Sequence, residues 1–154
     1  MNHWLLKTEP SSFGIEDLAQ LPGRTTAWDG VRNYQARNML RDTMKKGDLA
    51  LLYHSSCEVP GVVGIIEIAK AGYPDATAFD KRHAHHDPDS DPANPTWYVV
   101  DVRLKRALQH IIPLSELRVH ASGALKSFQL LKRGNRLSVM PVTKKEWDFI
   151  LTLE

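Results

Sequence analysis

The sequence predicts an α+β fold, a small mixed or antiparallel β-barrel flanked by short helices. Three observations point there. About five apolar strand-like runs alternate with short helical patterns, at a spacing too uneven for a doubly wound parallel sheet. The strongest run, Trp97–Arg106, alternates: Tyr98, Val100, Val102 and Leu104 fall on one face, Asp101, Arg103 and Lys105 on the other. The chain has 154 residues, of which 42% are hydrophobic and 25% charged. That is enough for one domain, residues 1–154, with a core of its own.

The elements follow in order. His3–Thr8 is a first strand, halted at Glu9-Pro10. Ile15–Gln20 is a short helix with Gly14 as N-cap, Glu16 and Asp17 in its first turn, and Pro22-Gly23 beyond its end. Asn33–Asp42 is a second helix, with Ala36, Met39 and Leu40 at helical spacing. Lys46-Gly47-Asp48 turns into the strand Leu49–His54, and Gly61–Lys70 is a further strand. Tyr73–Pro95 reads as a long ordered loop, with Tyr73 and Phe79 as anchors. After Trp97–Arg106, the segments Leu114–His120 and Ala124–Leu131 read as helical, and Arg133–Arg136 as a turn. Leu137–Val142 is the last strand, with Pro141 marking an edge or an end. Thr143 and Glu146 form a capping box that opens the final helix, whose Trp147, Ile150 and Leu151 face the core.

The net charge of +2 is too small to diagnose a partner. Its distribution says more. Arg103–Arg136 holds eight Lys/Arg and one acid, Glu116, whereas Gly72–Asp101 holds six Asp and two basic residues. Such polarity suits a protein that turns one face to a polyanion, and equally suits two solvated surfaces of opposite sign. A lone cysteine, Cys57, allows no internal disulfide and fits a reducing compartment. The N-terminal apolar run is too short for a signal peptide, and no run approaches the ~20 residues of a membrane span. The expectation is a soluble, cytoplasmic protein, nucleoid-associated in a bacterium or nuclear in a eukaryote, without a membrane partner.

The stretch Thr25–Arg41 concentrates stacking, hydrogen-bonding and cationic groups at a helix entrance. Trp28 offers a flat surface. Asp29, Asn33 and Gln35 can read a base edge, and Arg32 and Arg37 can reach phosphate. The plain alternative makes Trp28 a core residue, Asp29-Gly30 a turn and Asn33 an N-cap. In the strand ending Tyr53-His54-Ser55, alternation sends at most one of Tyr53 and His54 into the core. Cys57 lies three residues from His54 without an orienting third group, which argues against a thiol nucleophile. His83, His85, His86 and Asp87 lack a second ligand cluster at a zinc-like spacing, so they read as solvated loop residues and no metal site is expected. Lys7 and Glu9 form either a surface pair or a pocket mouth. Phosphate-cradling loops, dinucleotide fingerprints and nucleophile elbows are missing. No catalytic residue and no cofactor are expected.

Several long motifs occur in order: WLLKTEPSSFGIEDL, TTAWDGVRNYQARNML, MKKGDLALLYHSS, PGVVGIIEI, AGYPDATAFD, NPTWYVVDV and LSVMPVTKKEWDFIL. Together they resemble the EVE domain family from Trp4 to about Leu153. The resemblance implies a PUA-like fold, a small bent β-barrel with packed helices, and a reader of modified bases in DNA or RNA. It places Trp28, Asp29, Arg32, Asn33 and Tyr34, Tyr53, His54 and Ser55, Lys7 and Glu9, Trp97 and Ser138 around one cavity. Thr8 stands where Ser is common in that family. The extra Asn135 in Gly134-Asn135-Arg136-Leu137 is expected to alter the pocket rim.

These readings converge on a non-catalytic domain that captures a modified base. Arg37, Arg103, Lys105, Arg133 and Arg136 are its expected phosphate contacts. Two alternatives stand beside it. One is an enzyme acting on a nucleotide or modified base through His54 with Glu9 or Asp29. The other is an accessory module for a small molecule or a protein.

Overall fold

A computed structural model describes residues Met1–Glu154. Its frame is a mixed sheet of six strands: β1 (His3–Thr8), β2 (Thr25–Ala27), β3 (Leu49–His54), β4 (Gly61–Pro74), β5 (Tyr98–Pro113) and β6 (Val139–Val142). Their order across the sheet is β2-β5-β4-β3-β1-β6. Only β1 and β3 run parallel, from His3 opposite Leu49 to Thr8 opposite His54. The α+β architecture stands, but the sheet does not close into a barrel: β2 and β6 are its two edges.

The inner strands read as nearly unbroken apolar runs because both of their faces are covered. Alternation sends Trp4, Leu6, Ala50, Leu52, Ile66 and Ile68 to one core, and Leu5, Leu51, Tyr53, Val62 and Ile65 to the other. The helices α1 (Ile15–Gln20) and α2 (Tyr34–Asn38) cover the first core through Leu18 and Ala36. The helices α3 (Leu114–Val119) and α4 (Lys144–Leu151) cover the second through Leu117, Trp147 and Ile150. Each fully buried leucine contributes about 2 kcal/mol.

The caps form as their residue types require. The Asp17 carboxylate accepts the Gly14 N–H at 2.8 Å. Thr143 Oγ1 accepts the Glu146 N–H at 3.1 Å, while Glu146 returns by accepting the Thr143 N–H at 2.9 Å. Asn33 Oδ1 accepts the Ala36 N–H at 3.0 Å and opens α2.

Several segments depart from the sequence reading. The second helix is regular only to Asn38 and continues as a π-helical turn, Met39–Thr43. Ala124–Leu131 is a series of turns ending in one 3-10 turn, Gln129–Leu131. Strand β4 runs on to Pro74, and β5 to Pro113, through several register shifts between them. Three of the shifts add one residue on one side, the one between Val62 and Gly64 adds three on β5, and each bends the pair. Gly72 is required in that stretch, because a Cβ there would lie 2.5 Å from the Leu40 carbonyl oxygen. Strand β2 is an element the sequence reading does not contain. No helix is long and apolar enough to cross a membrane.

Candidate functional site

A cleft of about 520 Å³ opens where the C-terminal end of β1, the loop before α1 and the loop before α2 meet. Lys7, Glu9, Trp28, Asp29 and Ser138, all singled out from sequence, lie in its wall. Phe13, Gly30, His83 and His85 join them.

Local hydrogen bonds set this wall. Thr8 Oγ1 donates to the Phe13 carbonyl at 2.6 Å and fixes the turn that carries Phe13. The Lys7 N–H donates to the Ser138 carbonyl at 2.8 Å, which holds the end of β1 against the entry to β6. The Trp28 N–H donates to Val100 O on β5 at 2.8 Å. Trp28 is 7% exposed, so it is a core residue that shows only part of its ring. The Phe13 and Trp28 rings lie 6.5 Å apart at 83°, an aromatic corner. A planar ligand in that corner can lie flat on one ring and meet the other along an edge. Burial lowers the pKa of the Lys7 ammonium from its ordinary value.

The loop before α2 is clamped to the loop that follows β4. Asp75, 1% exposed, accepts the Gly30 N–H at 3.1 Å and Arg32 Nη1 at 2.9 Å, and receives the Thr77 N–H and hydroxyl as well. Burial alone would raise its pKa. The hydrogen bonds from Thr77, Arg32 and Gly30 outweigh burial and hold it below the usual carboxylate range. Arg32 also donates to the His85 carbonyl, through Nη2 at 2.6 Å and Nε at 3.2 Å. Gly30, at φ 79°, lies under the His85 ring, and a Cβ there would fall 2.5 Å from it. The histidine loop therefore lies along the cleft wall at His83 and His85, with the His85 side chain 41% exposed.

The remaining sequence-selected residues lie outside the cleft. Tyr53 is in the second core, 3% exposed, with the Lys7 ammonium 5.9 Å from its ring centroid. His54 Nε2 accepts the Ile15 N–H at 3.1 Å, so the lone pair a general base would use is engaged, and burial lowers its pKa. Ser55 donates to Thr8 O from both its N–H and its hydroxyl. Arg32 and Asn33 hold the loop together. Tyr34 and Trp97 stack on each other at 5.1 Å and 28°, flanked by Arg37 and Arg32. Trp97 Nε1 donates to Asp87 at 2.6 Å, a bond that holds the Asp87 pKa down.

The cations divide in the same way. Arg103 and Lys105 both face Glu67, and Arg37 donates to the Thr96 carbonyl at 2.7 Å. Arg133 and Arg136 lie with Lys132 in a second, polar cleft of about 390 Å³. Asn33 and Asn135 line this second cleft too, so the extra asparagine borders it and not the first. Two segments wall both clefts. Val31 and Ser138 face the first, Asn33 and Leu137 the second.

A family model described as the EVE domain matches residues 2–153. Thymocyte nuclear protein 1 of Homo sapiens is 47% identical over 168 residues, covering 99% of this chain and 74% of its own length. The Gallus gallus protein of that name is 48% identical over 167 residues, covering 99% and 68%. A crystal structure of the human THYN1 protein in complex with 5-methylcytosine-containing DNA matches at TM-score 0.95 and 46% identity, over 99% of this chain and 97% of that one. The structure of a Pseudomonas putida protein matches at TM-score 0.92 and 44% identity, over 98% of each chain.

Proposed function

The chain belongs to the EVE domain family, and from that premise we propose that it is a non-catalytic domain that binds DNA carrying a modified base. The observation that carries the proposal is the human relative bound to 5-methylcytosine-containing DNA, matched over nearly the whole of both chains. The relatives support a binding role over an enzymatic one.

The cleft is the place for the base. Its volume of about 520 Å³ falls within the ~300–1,000 Å³ of small-molecule sites. The base leaves its stack at a cost of a few kcal/mol. It lies against the corner of Phe13 and Trp28, where stacking returns about 1–3 kcal/mol. Asp29 accepts from the exocyclic amine of a cytosine, the pairing that acidic side chains make with that base. Lys7, Glu9 and Ser138 supply further polar contacts. A buried 5-methyl group adds about 0.8 kcal/mol, roughly fourfold in affinity. The strand leaves the first cleft along the walls it shares with the second, where Lys132, Arg133 and Arg136 neutralise phosphates.

The test is calorimetric titration with matched duplexes, plain and 5-methylcytosine-containing, beside their RNA counterparts. Tighter binding to the methylated DNA supports the proposal. Equal affinity for plain and modified DNA overturns base reading, and preference for the RNA overturns the choice of DNA.

A further inference from the structure

We propose that Asp29, His83 and His85 form a binding site for a divalent transition metal, zinc by chemistry, at the rim of the cleft. One ligand atom from each residue lies within 4.8 Å of the others. Two imidazoles and a carboxylate form a donor set that zinc accepts, with further coordination positions left for water. All three residues line the cleft, so those positions open into it.

Three observations single this cluster out from a chance meeting of exposed groups. First, His85 Nδ1 is buried and has no hydrogen-bond partner, although it stands 3.7 Å from Asp29 Oδ1. Tetrahedral zinc with bonds of about 2.0–2.1 Å holds its donors about 3.4 Å apart, so this pair is nearly at ligand spacing. Second, the backbone on both sides is fixed before any ion arrives. Arg32 holds the His85 carbonyl with two nitrogens, and Asp75 holds Arg32 and the Gly30 N–H. Third, Gly30 leaves room for the His85 ring where any Cβ would collide with it. His83 Nδ1 accepts the His85 N–H at 3.0 Å, a bond that also sets the turn between the two histidines. Ligation through that nitrogen exchanges the hydrogen bond for the metal. Rotation of the Asp29 and His83 side chains closes the remaining distance.

The His-x-His pair is visible in the sequence, but its third donor comes from the loop before α2. That is why spacing alone predicts no metal site.

The experiment is isothermal titration of the full chain, first stripped with a chelator, with zinc chloride and no nucleic acid. One ion per chain is expected. Losing an outer partner of a ligand alone costs about 10–100-fold in metal affinity, so His85→Ala, His83→Ala and Asp29→Asn should each weaken binding by about 100-fold or more. His86→Ala, a neighbour outside the cluster, should bind like the parent. Cobalt in place of zinc reports the donors directly, through visible bands that His85→Ala abolishes. Thermal melts without metal confirm that each variant is folded. Absence of saturable binding overturns the proposal, as does parent affinity in any of the three ligand variants or equal loss in His86→Ala. The titration contains no DNA, so its outcome is independent of the base-binding reading.

Discussion

Arg32 Nη1 lies 2.9 Å from Asp75 Oδ2, and this ion pair joins the loop before α2 to the turn that follows β4. Asp75 is 1% exposed, so the pair is shielded on the carboxylate side. Asparagine keeps one oxygen and turns an NH2 to the other side, so the ion pair is lost and either the Arg32 and Gly30 donors or the Thr77 donors face another donor. Asp75→Asn should therefore destabilise the protein by about 2–3 kcal/mol, read by urea denaturation. The sign with pH follows from the lowered folded-state pKa. The contribution is full above the unfolded carboxylate value of ~3.9 and is lost as pH falls through the folded value. Stability of the parent should fall more steeply than that of Asp75→Asn below about pH 4.

Phe13 and Trp28 should separate binding from folding. Phe13 is half-buried at the cleft, so Phe13→Ala should weaken methylated-DNA binding by about 5-fold to 100-fold with a modest change in melting temperature. Trp28 is part of the first core, and Trp28→Ala should cost about 3–5 kcal/mol of stability as well as binding. If Phe13→Ala and a folded Trp28→Phe both bind methylated DNA like the parent, the aromatic corner does not hold the base.

Salt should sort the cations. Arg133→Ala and Arg136→Ala should each lower the slope of log affinity against log salt by about 0.9. Arg103→Ala should leave the slope nearly unchanged, because Arg103 is already committed to Glu67. A drop in slope for Arg103→Ala equal to that for Arg136→Ala would place the phosphates elsewhere.

Lys7 carries a conflict between stability and binding. Burial disfavours its charged form and lowers its folded pKa. A lysine lowered on folding binds fewer protons folded than unfolded, so stability rises as pH climbs through that window. Lys7→Met should raise stability at neutral pH by up to about 1 kcal/mol and weaken DNA binding. Chemical denaturation and the oligonucleotide titration measure the two effects.

Much of the frame is legible in the sequence. The limits of β1, β3 and α1 follow from apolar runs stopped by Pro10, by the polar His54-Ser55 and by Pro22-Gly23. The two capping residues Asn33 and Thr143 announce α2 and α4 because their side chains have one good use at that position. What escapes is long-range. Strand β2 has three residues and exists only through pairing with Val102 and its neighbours. In β5 the alternation loses phase beyond Arg106, where register shifts change which side each residue faces. At the site, local pattern finds Trp28 and Asp29 but not Phe13 or His85, which reach the cleft by tertiary packing alone. The same limit explains Tyr53 and Trp97. Their type suggests a ligand wall, and their burial assigns them to packing.

The open sheet carries a liability that its edges answer. An unpaired strand invites a second chain to extend the ladder, and the first step toward fibrils is often such an addition. Here β2 offers three residues, and β6 offers four, one of them Pro141 without an N–H. Along β2 and β6 themselves a passing chain finds few free amides. The margin beside β2 is longer than β2 itself, because β2 pairs with only Asp101–Arg103 of the 16-residue β5. Along the rest, Glu154 accepts the Gln109 N–H at 3.3 Å and the exposed cations Lys105 and Arg106 stand guard, charges of the kind that turn a second strand away.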